Sequence, residues 1–320
     1  MRPDKIELAR VPTPLEPLTR LQERWGGPQL WVKRDDLTGF ELSGNKVRKL
    51  EYHLAAAIAD GADWVITAGA EQSNHCRATA LACARLGLGC TLLIRTESGR
   101  PPARIDANHR AHVLSGAEIV YVDRPGWAER DETMAALAAD LSGDGHRSWI
   151  IPAGASDSLG MLGMADAMIE LGAQLFEAGI DDPTIWHASS SAGTTAGFGL
   201  GIHEAGLRAD LVAVSVGEPP DEIAGYVQGM WRGAAKRYGT DVPDLDIEYR
   251  GDFIGDGYGL IDPEQPPVEA EATMLTGLLF DPTYTGKALY GLWREVQTGR
   301  WGADEHVIFW HTGGGFAALR

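Results

Sequence analysis

The stretch NKVRKLEYHLAAAIADGADWVITA, residues 45–68, decides the fold. Residues 45–60 carry helical periodicity and stop at Gly61, and WVITA, 64–68, is an apolar run of strand length. The same unit repeats downstream. An Ala-rich helix over 74–86 ends at Gly87, and a strand at 90–94 precedes a helix reaching about Leu114. EIVYV at 118–122 reads as strand, a helix rich in Ala and charge follows, and SWIIP at 148–152 reads as strand again. The second half continues with a helix over 158–177, a strand at 184–188, a helix at 194–205 and a strand at 211–216. Helices over 221–238 and 267–279 and a buried strand, VIFWH at 307–311, complete the pattern. Such alternation, with Gly at helix ends, predicts an α/β fold: two three-layer α/β/α domains with mostly parallel sheets and a ligand cleft between them. The longest stretch rich in Gly, Pro and Asp, 251–267, is a candidate site-lining loop.

Composition removes other classes. The 320 residues carry 28 Lys and Arg against 45 Asp and Glu, a net charge of −17, so neither nucleic acid nor an anionic membrane is expected as partner. There is no run of eighteen apolar residues, and the N-terminus has no apolar segment of the secretory kind. Cys76, Cys83 and Cys90 stand seven apart without a close pair, which speaks against structural zinc. They read as small buried hydrophobes in a reducing cytoplasm, and no metal site is expected.

Four segments carry chemistry. In SGNKVRKLE, 43–51, Ser43 or Asn45 can cap the helix, so Lys46, Arg48 and Lys49 crowd its first turn in a chain with only six Lys. Cations there oppose the helix dipole, welcome an anion and lower the pKa of an amine among them, as Schiff-base chemistry requires. The plainer alternative is a solvated first turn with Lys49 paired to a carboxylate. Around QSNH, 72–75, Ser73 and Asn74 suit a helix start whose free N–H groups would receive a carboxylate. SSSAGTTAGFG, 189–199, is a small-residue turn fit to cradle a phosphate. Its Gly193, Gly197 and Gly199, with Glu218 beyond the next strand, also leave open a nicotinamide-dependent oxidoreductase, although the spacing is not G-x-G-x-x-G. Last come Tyr258-Gly259, DPTYTGKA at 281–288 and HTGG at 311–314, each readable alone as a turn.

Taken in order, these segments resemble the pyridoxal-phosphate enzymes of fold type II, and within them the group of D-cysteine desulfhydrase and 1-aminocyclopropane-1-carboxylate deaminase. The resemblance runs from VPTPLEPL at 11–18 and VKRDDLTG at 32–39 to the C-terminus. It implies a cofactor in the interdomain cleft, with 1–48 plus 155–320 as the large domain and 49–154 as the small one. Lys46 would hold pyridoxal 5′-phosphate as a Schiff base. Lys49 and the turn Ala192, Gly193, Thr194 and Thr195 would hold its phosphate, and Asn74 would meet the ring 3′-oxygen. Ser73 would sit over the substrate, with the amides of Ser73, Asn74 and His75 receiving the substrate carboxylate. Tyr258 and Tyr284 would be the active-site tyrosines, and Thr285 or Thr312 would face the ring nitrogen. A homodimer acting on a small amino acid is also implied.

One position separates the branches. After the DPxY tyrosine the deaminases typically carry Glu, whereas this chain has Thr285, as in the desulfhydrase branch. A neutral hydroxyl leaves the ring nitrogen less protonated, which weakens the electron sink and favours α,β-elimination over ring opening. The resemblance thus implies a lyase converting D-cysteine to pyruvate, ammonia and sulfide, with L-cysteate sulfo-lyase and the cyclopropane deaminase as alternatives. Thr195 where His or Gln is common, Leu260-Ile261-Asp262 after Tyr258-Gly259, Trp186 and Trp310 depart from the group's usual pattern.

Overall fold

A computed structural model describes residues 2–319. Its strands are β1 (Leu15–Pro17), β2 (Gln29–Arg34), β3 (Trp64–Ala70), β4 (Gly89–Arg95), β5 (Glu118–Val122), β6 (Ser148–Ile151), β7 (Thr184–Ser189), β8 (Asp210–Ser215), β9 (Ile247–Arg250) and β10 (His306–His311). They form a six-stranded sheet ordered β1-β2-β10-β7-β8-β9 and a four-stranded sheet ordered β5-β4-β3-β6. Every pairing is parallel except β1 with β2. All six residues of β7 are buried, as are the five interior residues of β3 and of β4. Strands covered on both faces read as unbroken apolar runs, which is why these were visible in the sequence.

The expected helices are present with shifted ends. The helix expected over 158–177 is Met161–Ala178. Asp157 delays it, because its Oδ1 accepts from the amides of Leu159 and Gly160 at 3.0 and 2.8 Å. The helix expected over 267–279 is Gln265–Thr276, closed by left-handed Gly277. Other elements have no counterpart in the sequence reading: β1, β2, β9 and the helices Thr19–Trp25 and Thr285–Gln297. β2 escapes because its buried Lys33 breaks the apolar pattern, its charge being met by Glu170. The Thr285–Gln297 helix escapes because its first turn is the DPTYTGKA segment. The Asp281 carboxylate accepts from the amides of Tyr284 and Thr285 at 2.9 and 3.0 Å, so the apparent turn is a helix start.

Close backbone packing accounts for the glycines that follow the 189–195 turn. In the Gly193–Ala205 helix, a Cβ on Gly197 would lie 2.3 Å from the Met161 carbonyl oxygen, and one on Gly201 would lie 2.6 Å from that of Ala165. A Cβ on Gly199 would lie 2.4 Å from the Trp231 ring. These glycines let neighbouring elements touch, so the dinucleotide-fingerprint reading of Gly193, Gly197 and Gly199 is corrected, and Glu218 is an exposed residue on the cleft rim.

Candidate active site

Parallel strands end together, and their C-terminal ends converge on one cleft of about 540 Å³. Ala68, Gly69 and Ala70 of β3 and Arg95 of β4 form one wall, with Pro152, Ala153 and Gly154 after β6. Ala188 and Ser189 of β7 and the turn after it, together with Thr312 after β10, form the other.

Lys46 opens the Lys46–Ala59 helix and lines this cleft. Burial lowers its amine pKa to about 8. The carbonyl of Thr312 accepts from Asn45 N at 3.0 Å, and a Cβ on Gly44 would lie 2.8 Å from that same oxygen. SGN and HTGG are therefore two halves of one backbone contact that fixes where Lys46 emerges. Neither Ser43 nor Asn45 caps the helix through its side chain; Asn45 Nδ2 instead donates to Thr194 Oγ1 at 3.0 Å. Arg48 corrects the three-cation reading. Its guanidinium points into the protein, donating to Asp35 at 2.8 Å and to Glu170 at 2.9 Å.

Lys49 is fully buried and has no carboxylate within ion-pair distance among the described residues. Its Nζ lies 3.4 Å from the Gly154 carbonyl oxygen and 3.3 Å from Ser156 Oγ. Burial first, then the charge of Lys46, holds its pKa well below that of an ordinary lysine. The solvated, carboxylate-paired first turn is thus not what forms. A Cβ on Gly193 would lie 2.5 Å from Ser156 Oγ and 2.8 Å from Lys49 Nζ, so only glycine lets this helix start reach the amine. Ala192 just before it takes a left-handed φ of 62°. A buried amine without a counter-ion, beside an open helix N-terminus and the Ser156 and Ser191 hydroxyls 2.7 Å apart, is a site suited to a phosphate.

Opposite, Ser73 Oγ accepts from Cys76 N at 3.1 Å and caps the Asn74–Leu86 helix. A Cβ on Gly69 would lie 2.5 Å from that Oγ, so the glycine makes room for the serine. Asn74 Oδ1 accepts from Asn108 Nδ2 at 2.8 Å. The His75 ring turns inward. Thr67 Oγ1 donates to the Ile151 carbonyl at 2.8 Å and so accepts from His75 Nε2 at 2.8 Å, while His75 Nδ1 is buried without a partner. Burial keeps that imidazole neutral, its pKa well below the usual range. The Tyr258 and Tyr284 hydroxyls meet each other over the cleft, and burial raises both phenol pKa values, so both are protonated at neutral pH.

Of the residues singled out from sequence, Lys46, Ser73, Asn74, His75, Ala192, Thr194, Tyr258, Tyr284 and Thr312 line the cleft together. Lys49 and Gly193 lie just behind its surface. Thr195 and Thr285 do not line it. Thr195 Oγ1 is bonded to Ser189 Oγ at 2.7 Å, and Thr285 Oγ1 donates to Asp281 Oδ1 at 2.8 Å. Of the two threonines offered for the ring nitrogen, Thr312 is the one on the cleft. Gly154, Ser156, Arg95, Trp127, Tyr226 and Met230 also line it without having stood out in the sequence, as does Asn45, which stood out only as a helix cap. The run after β6, PAGAS at 152–156, carried a usable signal, since small residues follow a parallel strand there as they do after β7. No group of three or more His, Cys, Asp or Glu placed to hold a metal occurs among the described residues.

Two mostly parallel sheets meeting at a cleft where a desolvated lysine amine stands beside a site suited to a phosphate define an α/β enzyme of the kind that uses a phosphorylated cofactor. Residues 6–313 match the family of pyridoxal-phosphate dependent enzymes, and the chain belongs to that family. It is 34% identical over 311 residues to a D-cysteine desulfhydrase of Yersinia enterocolitica, covering 97% of this chain and 93% of the relative. Identity to a D-cysteine desulfhydrase of Salmonella newport is 35% over 314 residues, covering 97% and 94%. The crystal structure of an ACC deaminase homologue superposes with a TM-score of 0.88 at 32% identity, covering 97% of this chain and 92% of that one. A hydrogen sulfide-producing enzyme from Fusobacterium nucleatum shares the fold, with a TM-score of 0.63 at 14% identity.

Proposed function

We propose that this chain catalyses α,β-elimination on a small amino acid, converting D-cysteine to pyruvate, ammonia and sulfide. The observation that carries the reading is one cleft holding the Lys46 amine, the Ser73 hydroxyl and the paired Tyr258 and Tyr284 hydroxyls. Full-length likeness to D-cysteine desulfhydrases supports the substrate.

Lys46 would hold the cofactor, Lys49 and the Ala192-Gly193-Thr194 turn its phosphate, Asn74 its 3′-oxygen, and Thr312 its ring nitrogen. Thr195 supports the turn from beneath, through Ser189. Pyridoxal phosphate, when bound, supplies the electron sink that stabilises negative charge at the substrate Cα. The amides of residues 73–75 receive the substrate carboxylate at a helix start, where free N–H groups and the dipole favour an anion. Ser73 stands over the Cα position. Once the substrate amine has replaced it, Lys46 would be the base there, its lowered pKa giving it a larger free-amine fraction near neutral pH than an ordinary lysine has. The Tyr258–Tyr284 pair, protonated and hydrogen-bonded, can donate a proton toward the departing sulfur. Thr285 does not carry the branch distinction read from the sequence, because its hydroxyl is turned to Asp281. A neutral Thr312 in its stead would likewise leave the ring nitrogen less protonated than a carboxylate would, and so favours elimination over cyclopropane ring opening.

In this reading the cleft lies between a large part, 1–48 plus 155–320, and a small one, 49–154. Cys76, Cys83 and Cys90 are buried free thiols, which supports a reducing, cytoplasmic setting. A homodimeric state is proposed from the family likeness. The test is keto-acid release from D-cysteine, L-cysteate, D-serine, β-chloro-D-alanine and 1-aminocyclopropane-1-carboxylate. Pyruvate with sulfide from D-cysteine is the expected result. Activity on the cyclopropane alone would overturn the elimination reading.

A further inference from the structure

Asn74 meets the cleft with an amide, a donor at one end and an acceptor at the other, so the end it presents sets what it can hold. Its neighbours leave no choice. Asn108, in the first turn of the Ala107–Leu114 helix, is fully buried and touches Asn74 through its own amide. Asn108 Oδ1 accepts from Arg77 Nε at 2.8 Å, and a guanidinium can only donate. Asn108 Nδ2 donates to the Gln72 carbonyl at 2.9 Å, and a carbonyl can only accept. Two partners of fixed role therefore pin the Asn108 amide at both ends. Its other Nδ2 hydrogen goes to Asn74 at 2.8 Å, so Asn74 receives it on Oδ1. Asn74 Nδ2 has no hydrogen-bond partner among the described residues and is left for the cleft that Asn74 lines.

Arg77 is fully buried on the Asn74–Leu86 helix and makes no ion pair among the described residues. Burial lowers its pKa to about 10, so it is cationic at neutral pH. Burying an unpaired cation is costly, and this one is met by dipoles and a ring instead. Its NH1 donates to the Glu41 carbonyl, its NH2 donates to the Ser43 carbonyl at 2.7 Å, and its guanidinium carbon lies 4.7 Å from the Phe316 ring centroid. Ser43 stands three residues before Lys46. One guanidinium thus holds the loop that leads to Lys46 and sets the polarity of the amide behind Asn74.

We infer that Arg77 and Asn108 form a polarity relay that turns the Asn74 amide so that Nδ2, a donor, meets the cofactor 3′-oxygen while Oδ1 is held away from it. The inference rests on the reading above in which Asn74 meets that oxygen, and adds what fixes the end of the amide that does so. The 3′-oxygen of bound pyridoxal phosphate carries negative charge, which a donor stabilises and a carbonyl oxygen repels. Neither Arg77 nor Asn108 lines the cleft, so both are positioning residues. Asn108→Asp separates polarity from packing. It has the same shape and still accepts from Arg77 Nε, adding a counter-charge there, but it has no N–H to give Asn74. Asn74 then turns Nδ2 to the new carboxylate and Oδ1 to the cleft. Asn108→Ala removes the partner and leaves the Asn74 amide free to turn either way.

The test measures dissociation constants of pyridoxal phosphate and of 3-deoxypyridoxal phosphate, which lacks only the 3′-oxygen. Wild type, Asn74→Ala, Asn108→Asp and Asn108→Ala are each stripped of cofactor and reconstituted with one or the other. The readout is the ratio of the two constants, in which a general weakening of the site cancels. Preference for the natural cofactor should fall about tenfold in Asn74→Ala, the worth of one hydrogen bond to a charged group. It should fall at least as far in Asn108→Asp and less far in Asn108→Ala. A packing role alone predicts the reverse order for the two Asn108 variants, since Asp fills the space and Ala leaves a hole. That reverse order, or an unchanged ratio in Asn108→Asp beside a fallen one in Asn74→Ala, overturns the relay and leaves the Asn74 reading standing. An unchanged ratio in Asn74→Ala overturns that reading and the relay with it. Should the Asn108 variants not fold, a neutron structure of the loaded wild-type enzyme decides the same point. Deuterons of Asn74 Nδ2 on the cofactor side support the relay, and deuterons on the Asn108 side overturn it.

Discussion

Lys46 and Lys49 stand three residues apart on a helix and so lie about 60° apart around its axis, whereas Arg48 lies on the far side. That difference separates a cleft cation and its buried neighbour from a structural one, and the numbering alone contained it. Grouping all three as one cationic patch overlooked the helical period. What sequence could not supply is the partner set of Arg48, since Asp35 and Glu170 come from distant segments. Burial of Lys46 has a pH consequence. Below pH 8 the amine is protonated in the folded and the unfolded chain, and its desolvation cost is fully present. Between about 8 and 10.5 the unfolded chain holds a proton that the folded one has lost, so stability rises with pH, and above 10.5 the cost is gone. Cofactor-free Lys46→Met should therefore be more stable than cofactor-free wild type at pH 7, by about 1–3 kcal/mol. Because the amine opens on the cleft, the lower end of that range is expected. Urea unfolding at pH 7 and pH 10 checks this, and an equal difference at both would contradict it. Ser73 caps its helix and, in the proposed function, faces the substrate as well. Ser73→Ala should cost about 1 kcal/mol of stability and at least about tenfold in keto-acid release, whereas undiminished turnover would remove Ser73 from the chemistry.

At the scale of elements, the parallel strands and the helices between them were legible because burial on both faces writes long apolar runs, and because Gly87, Gly179, Gly206 and Gly239 close helices in left-handed conformation. Where a helix start doubles as part of the site, pattern fails. DPTYTGKA looks like a turn, since Asp281 supplies the first-turn contacts that a helical sequence pattern does not show. Glycines misled in the opposite direction, suggesting a dinucleotide fingerprint where they serve helix contact. That reassignment can be tested away from the cleft surface. Gly197→Ala would set a methyl 2.3 Å from the Met161 carbonyl oxygen and push two helices apart. A loss of about 1–3 kcal/mol in urea unfolding is expected. A neutral substitution would show that this packing is looser than described.

Across the whole molecule, a net charge of −17 surrounds a cleft whose inner wall is basic. Lys46 and Lys49 come from the first turn of one helix and Arg95 from a strand end, which the fold brings together. An acidic exterior with a cationic interior site is suited to a small phosphorylated cofactor and an amino-acid carboxylate rather than to polyanions, whose many phosphates would meet the repelling surface. The family was legible from motif order, because SGNK and HTGG touch in space and so depend on each other. The assembly of the cleft from five strand ends was not, since sheet order is set by long-range pairing. The central claim is that Lys46, rather than its buried neighbour Lys49, holds the cofactor. Protein incubated with pyridoxal phosphate, reduced with borohydride, digested and mapped by mass spectrometry tests it most directly. A phosphopyridoxyl group on Lys46, absent in Lys46→Ala, is the predicted result, and a label on Lys49 or spread over Lys5 and Lys236 would contradict the account.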